Sequence, residues 1–328
     1  LMVGAPLHLA HGQDRLPASR PLQAPFDVYA LALSGDGKTL FTLQLDRTLR
    51  LWDLEKGTND ALHRFAAMDR PESLVLRPDG KMLVIVEAQR NVHVFDVAMR
   101  KMRTTLPGLS MIPGASARFS PDGKWLAISR GHEVEIYDAE TLKSLQRIHA
   151  YQIPIHHVAF RPALKKDDLS LAMIASGMPK GQLWNVSGKR REMFFYSRNN
   201  ESVGGQPDFR SDGKVLACAV GGKGDILLWD FSGDLPVADL PAKSGPVRAL
   251  AFRSGSNHLA VARREDSGPR KPEENGIELW DVGTQKIFAR TPLFGLRALA
   301  ISADGNTLVA VGSPPRTIHV WDLSKLPA

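Results

Sequence analysis

One feature limits what this chain can fold into: a strand that closes on an aromatic residue followed by Asp or Asn, written seven times along the sequence. The closures are Trp52-Asp53, Phe95-Asp96, Tyr137-Asp138, Trp184-Asn185, Trp229-Asp230, Trp280-Asp281 and Trp321-Asp322, so successive aromatics stand 43, 42, 47, 45, 51 and 41 residues apart. Five repeats carry an Asp-Gly turn ahead of the closure, at Asp36-Gly37, Asp79-Gly80, Asp122-Gly123, Asp212-Gly213 and Asp304-Gly305. Asp-Gly between two alternating apolar runs is a hairpin signal, because glycine accepts the positive φ the turn demands. The runs are rich in Val, Ile, Leu and Ala with a period of two, which excludes a helical solenoid. Each repeat is therefore a small antiparallel sheet, too small to bury both faces alone. Standing the sheets face to face around one axis buries those faces, and closing the ring protects the edges.

The closures and turns resemble the WD-repeat β-propeller family, whose period is about 40–45 residues with four strands per blade. The resemblance runs over residues 19–326 and implies an all-β fold: a seven-bladed β-propeller of four-stranded antiparallel blades, acting as a protein–protein interaction scaffold and not as an enzyme. The family's Gly-His dipeptide is absent ahead of the blades, and of its Trp, Asp, Ser and His network only Trp52 with Asp46 fits. Three stretches depart from the repeat: Arg161 to Asp168 in blade 4, Ser254 to Asn257 in blade 6, and the charged Pro/Gly-rich run from Arg263 to Gly276 in the same blade. The family closes its ring with an amino-terminal strand. That strand is expected from residues 5–24, with Ser19–Ala24 favoured. The expected organisation is an amino-terminal arm or residual signal segment over 1–18 and one propeller domain over 19–328.

Composition adds bounds. In 328 residues, 43% hydrophobic and 23% charged content suits a chain with a real core. No apolar stretch approaches the roughly 18 residues of a membrane span. The apolar start ending Ala10-His11-Gly12 fits the tail of a secretory signal or a plain arm. Cys218 is the one cysteine; it lies in an apolar strand, where a buried inert thiol is expected. No disulfide is available, so no oxidising compartment is required; a cytoplasmic location is favoured and a secreted or periplasmic one stays open. The formal net charge of +7 favours acidic partners.

Chemical motifs are sparse. Ser187 to Arg190 and Gly221 to Gly224 both lack the hydroxyl of a phosphate loop, and the single cysteine excludes a thiolate zinc cluster. His149, His156 and His157 are read as polar rim residues. The resemblance places Tyr29, Glu72, Ala115, His156, Gly205, Arg248 and Arg297 around the central channel, where propeller enzymes carry carboxylates or histidines. One carboxylate, one histidine and two arginines make a poor cage for a hard cation, so no catalytic residue, metal or cofactor is expected. Turns that open on the same face in this family carry Arg47, Arg90, His132, Lys180, Lys223, Arg264 and Arg316, a basic crown diluted by Asp46, Glu265, Asp266, Glu273 and Glu274. The partner-binding residues expected are Tyr29, Glu72, His156, Arg248 and Arg297, with Arg47, Arg90 and Arg316 at the rim; Tyr and Arg are favoured interface anchors. The lysines at 38, 81, 124 and 214 are read as turn chemistry, and Lys189, Arg190 and Arg191 as a solvated blade edge. The expected partner is a protein or peptide of acidic character met by a monomeric platform, with nucleic acid disfavoured. Two rival readings stay open: a channel-metal, lactonase-like hydrolase, and an RNA- or translation-associated propeller.

Overall fold

The computed structural model describes residues 14–68, 71–87, 91–106, 116–163, 169–175, 177–197, 199, 201–222, 224–233, 235–241, 245–263, 276–312 and 316–326. All regular elements there are strands, and they form seven antiparallel blades around one axis. Blade 1 runs Val28–Leu33, Thr39–Gln44, Thr48–Asp53 and Thr58–Arg64, from the axis outward. Blade 2 is Pro71–Leu76, Met82–Glu87, Val92–Asp96 and Lys101–Leu106; blade 3 is Ala117–Phe119, Trp125–Arg130, Glu133–Asp138 and Ser144–His149. Blade 4 is Ile155–Arg161, Ser170–Ala175, Lys180–Asn185 and Arg190–Tyr196; blade 5 is Val203–Phe209, Val215–Val220, Asp225–Asp230 and Leu235–Leu240. Blade 6 is Val247–Phe252, His258–Arg263, Gly276–Asp281 and Lys286–Pro292. Blade 7 supplies Ala298–Ile301, Thr307–Gly312 and Thr317–Asp322, and its outer strand is Arg20–Gln23, paired antiparallel with Thr317–Val320.

The closing strand thus falls inside the favoured Ser19–Ala24 segment. The amino-terminal arm also does something its sequence did not announce. Asp14–Arg15 pairs parallel with Ala289 and Arg290, adding a fifth strand to blade 6. The segment Ala10–Gly12 and most of the two long loops in blades 4 and 6 lie outside the described residues.

Turn chemistry works as the sequence implies. In each Asp-Gly turn the Asp carboxylate accepts the amide of the residue two positions on, at 3.1, 3.0, 3.1, 3.0 and 3.0 Å from Lys38, Lys81, Lys124, Lys214 and Asn306. The residue two before that Asp then takes one of two roles. Ser34, Ser120 and Ser302 bond within their own turn. Arginine at the equivalent position reaches the next blade, and Arg77 and Arg210 bond the Asp of their own turn as well. Arg77 Nη1 donates to Glu140 at 2.7 Å, Arg161 Nε to the Gly213 carbonyl at 2.6 Å, Arg210 Nη1 to Asn257 at 2.8 Å, and Arg253 Nε to the Gly305 carbonyl at 2.9 Å.

The core is a ring of apolar interfaces between neighbouring sheets. Trp52 and Leu31 of blade 1 meet Leu22, Val309, Val311 and Ile318 of blade 7, for example. Six of the closing aromatics are buried there and Trp184 is half-buried. Cys218 is buried in the same layer.

Within blades, polar pairs join the end of the second strand to the third, and their charges change hands. Blade 2 pairs Glu87 with His93 at 2.9 Å, blade 3 pairs Arg130 with Glu135 at 2.9 Å, and blade 6 pairs Arg263 with Glu278 at 2.8 Å. In blade 1 the neutral Gln44 accepts from Arg50 at 3.2 Å. Blades 3 and 6 repeat a whole network. Tyr137 and Arg147 converge on Glu135, as Trp280 and Arg290 do on Glu278. The family network fares differently: Trp52 donates to Thr42 at 2.8 Å, and Asp46 accepts from Thr48 at 2.7 Å instead of reaching the indole.

Candidate functional site: the channel mouth

The inner strands begin with an irregularity that decides where their first side chains go. In blades 1, 2, 4 and 6 the pairing register shifts between Val28 and Ala30, Pro71 and Ser73, Ile155 and His157, and Val247 and Ala249. The residue skipped in each case is Tyr29, Glu72, His156 or Arg248. A β-bulge leaves one residue out of the ladder and re-aims its side chain, a device common at barrel rims. Blade 5 makes a wider excursion, between Gly204 and Asp208. Gly205 sits there at φ +66°, where a Cβ would come within 3.0 Å of the Ala219 methyl. Four of the expected mouth residues are thus placed by one repeated backbone device.

Tyr29, Glu72, Arg248 and Arg297 line a single cavity of about 680 Å³, together with Asp27, Arg118, His157 and Gln206. His156 stands beside it, its ring 6.4 Å from that of His157. Burial lowers the pKa of His156, with Glu72 opposing, so it is neutral near pH 7. Ala115 lies outside the described residues.

Arg297 and Arg248 are neighbours. Arg248 Nε donates to the Arg297 carbonyl at 3.4 Å, and the Arg297 guanidinium lies 5.8 Å from the Tyr29 ring centre. The sequence reading missed Asp27. Its carboxylate sits 3.6 Å from Arg297 and 3.5 Å from Arg316, tying a mouth arginine to a rim arginine. Such half-exposed pairs are worth little energetically, but they blunt the positive field of the crown.

The rim turns share a face with the mouth, because their backbone bonds to the segments leading into the inner strands. Leu45 N donates to the Asp27 carbonyl at 2.8 Å, Gly221 N to Ser202 at 2.8 Å, and Ile155 N to Gly131 at 2.6 Å. Arg47 is exposed at φ +65° and donates to the Ala66 carbonyl at 3.1 Å. Arg316 and His132 are exposed, and Lys180 lies 5.7 Å from the Phe194 ring. Arg90, Lys223 and Arg264 lie outside the described residues.

Two channel groups went unnoticed in the sequence, and a third, His157, was expected there as a polar rim residue. His157 lines the cavity, and burial, with Arg118 and His156 adding to it, pushes its pKa down to about 3. Arg118 lies deeper on blade 3, where burial lowers its guanidinium while Asp208 opposes. Asp208 is raised by burial to about 6, although its carboxylate accepts the Phe252 amide at 2.7 Å. Arg118 and Asp208 each lie four residues before the Asp of their own turn, a regularity that could have flagged them as facing one channel. Among the described residues no group of three His, Cys, Asp or Glu is arranged to hold a metal ion, and no helix is long and apolar enough to cross a membrane.

Residues 19–53 match a family described as "WD domain, G-beta repeat". That match joins the outer strand of blade 7 to three strands of blade 1, so the sequence repeat straddles two blades. The WD repeat-containing protein 26 homolog of Arabidopsis thaliana is 20% identical over 245 residues, 73% of this chain and 39% of that protein. The chain therefore spans well under half the length of this curated relative. A chain in the structure named "Crystal Structure of Mitotic Checkpoint Complex" superposes with a TM-score of 0.74 at 18% identity, covering 98% of this chain and 97% of that one.

Proposed function

We propose that this chain, a seven-bladed propeller of the WD-repeat kind, is a non-enzymatic platform that binds a protein or peptide partner across its channel-mouth face. The observation that carries the reading is the set of bulges that turn Tyr29, Glu72, His156 and Arg248 out of their ladders at the mouth of the channel. A propeller that only had to be stable would gain nothing from Arg248 and Tyr29 there, whereas Arg and Tyr are the side chains that anchor interfaces. Arg47 and Arg316 extend the same face at its rim and favour a partner with acidic groups. The chemistry that supports a scaffold does not support a hydrolase: Glu72 shares the mouth with arginines, a neutral histidine and one further carboxylate, Asp27, which Arg297 and Arg316 already engage. Residues 19–328 act in this reading as one domain and as a monomer, with 1–18 as an arm. The neighbour from a mitotic checkpoint complex supports protein binding as the kind of work this fold does.

The test is affinity capture from source-cell extract. Wild type is compared with Arg248→Glu/Arg297→Glu and with Lys38→Glu/Lys124→Glu on the opposite face. The mouth variant should lose its partners at least tenfold while the control keeps them. Equal recovery by all three proteins overturns the assignment.

A further inference from the structure

We propose that the waist of the channel is an oxyanion site, in which Arg118 holds a carboxylate or phosphate group that has passed between Arg248 and Arg297. The inference deepens the platform reading and rests on it only for the direction of approach. Arg118 belongs to the inner strand of blade 3, lines the cavity of about 680 Å³, and spends one hydrogen bond, 2.9 Å from Nη1, on the carbonyl of its own neighbour Ala117. Among the described residues no carboxylate lies within ion-pair distance of it. Asp208, at the same level of the ring two blades on, is turned toward the Phe252 amide and serves the contact between blades 5 and 6. His157 presents a neutral imidazole to the cavity, a ring that can donate one hydrogen bond and adds no competing charge. Glu72 and Asp27 stand at the mouth, and Asp27 is engaged by Arg297 and Arg316.

Charged groups set inside a protein are as a rule paired. An arginine whose remaining N–H donors face a cavity is shaped for a two-pronged oxyanion, since its planar fork matches a carboxylate or phosphate. Asp208 acts on Arg118 through space but bonds the Phe252 amide, and the other carboxylates lie at the lip, so the group that contacts Arg118 directly comes from outside.

The probes are inorganic phosphate and a capped hexaglutamate peptide, titrated calorimetrically into the full chain at constant ionic strength. Wild type should bind at least one with saturation and a stoichiometry of one. Arg118→Gln should weaken that binding at least tenfold, and Arg118→Lys, which keeps the charge but not the fork, by an intermediate factor. Should Arg118→Gln fail to fold, the lysine variant carries the test. Binding of phosphate alone identifies a small free anion as the occupant; binding of hexaglutamate as well identifies an acidic partner segment. No saturation with either probe, or equal affinity in wild type and both variants, overturns the site. Phosphate binding at Arg118 combined with unchanged capture by the mouth variant would sink the platform reading and leave this one standing.

Discussion

Glu278→Ala removes the carboxylate on which blade 6 converges. Arg263 Nε lies 2.8 Å from Glu278, Trp280 Nε1 2.9 Å and Arg290 Nη2 2.5 Å. The Arg263 side chain has no exposed surface, so the variant strands a guanidinium in the interior. Its bonds to the carbonyls of Gly224 and Gly245, at 2.6 and 3.2 Å, soften the loss without supplying a charge. Removing one partner of a buried pair costs about 3–5 kcal/mol. An unfolding entropy of about 2.1 cal/mol/K per residue gives roughly 0.7 kcal/mol/K for 328 residues. Each kcal/mol then lowers Tm by about 1.5 °C, and the variant should melt about 4–7 °C below wild type. Scanning calorimetry at pH 7 measures it. Glu55→Ala is the control: Lys38 and Glu55 are 2.9 Å apart but exposed, and that variant should stay within about 1 °C. The gap between wild type and Glu278→Ala should also narrow in acid. Burial alone would raise the Glu278 carboxyl, but Arg263 and Arg290 hold it below its ordinary 4.5. Its contribution is thus present above pH 4.5 and lost as pH falls through the depressed folded value. A Tm for Glu278→Ala within 1 °C of wild type at pH 7 would refute the reasoning.

Other outcomes follow from the same geometry. Gly37→Ala should be far more damaging than Gly80→Ala, as thermal melts will read. Both glycines sit at positive φ, but a Cβ at Gly37 would strike the Thr307 side chain, whereas Gly80 has nothing within 4 Å and carries only a strain of about 1 kcal/mol. Arg253→Ala releases the carbonyls of Gly305 and Leu323, 2.9 and 3.0 Å away, and should cost about 2–4 kcal/mol by denaturant titration. Deleting residues 1–24 removes the outer strand of blade 7 and uncovers Ile318, so it should lower Tm well beyond a deletion of 1–18, which keeps that strand. Asp208→Asn should stabilise the protein at pH 7 and lose that advantage by pH 4. A carboxyl raised to about 6 favours folding when protonated and costs stability as pH rises through 4 to 6. A pH series of urea midpoints that runs parallel for the two proteins would count against it.

The chain's order of residues determined the blades by itself. Closing aromatics at a near-constant spacing set their number and the Asp-Gly pairs set the first hairpin of five of them, while the family resemblance pointed to Ser19–Ala24 to close the ring. These are local decisions: a turn conformation and a period of two depend on neighbours a few residues away. Tyr29, Glu72, Arg248 and Arg297 were legible at the channel for the same reason, since equivalent positions in a ring must meet at its axis. What surrounds them was decided only by the tertiary structure. Asp27 blunts two arginines that are 270 and 289 positions away in the chain, and Arg118 and His157 enter the cavity of Tyr29 from other blades. The bulges depend on strand pairing, and the Arg263–Glu278 pair joins two strands across a long charged excursion. Periodicity says which face a side chain takes, but only closure of the ring says what charge stands opposite it.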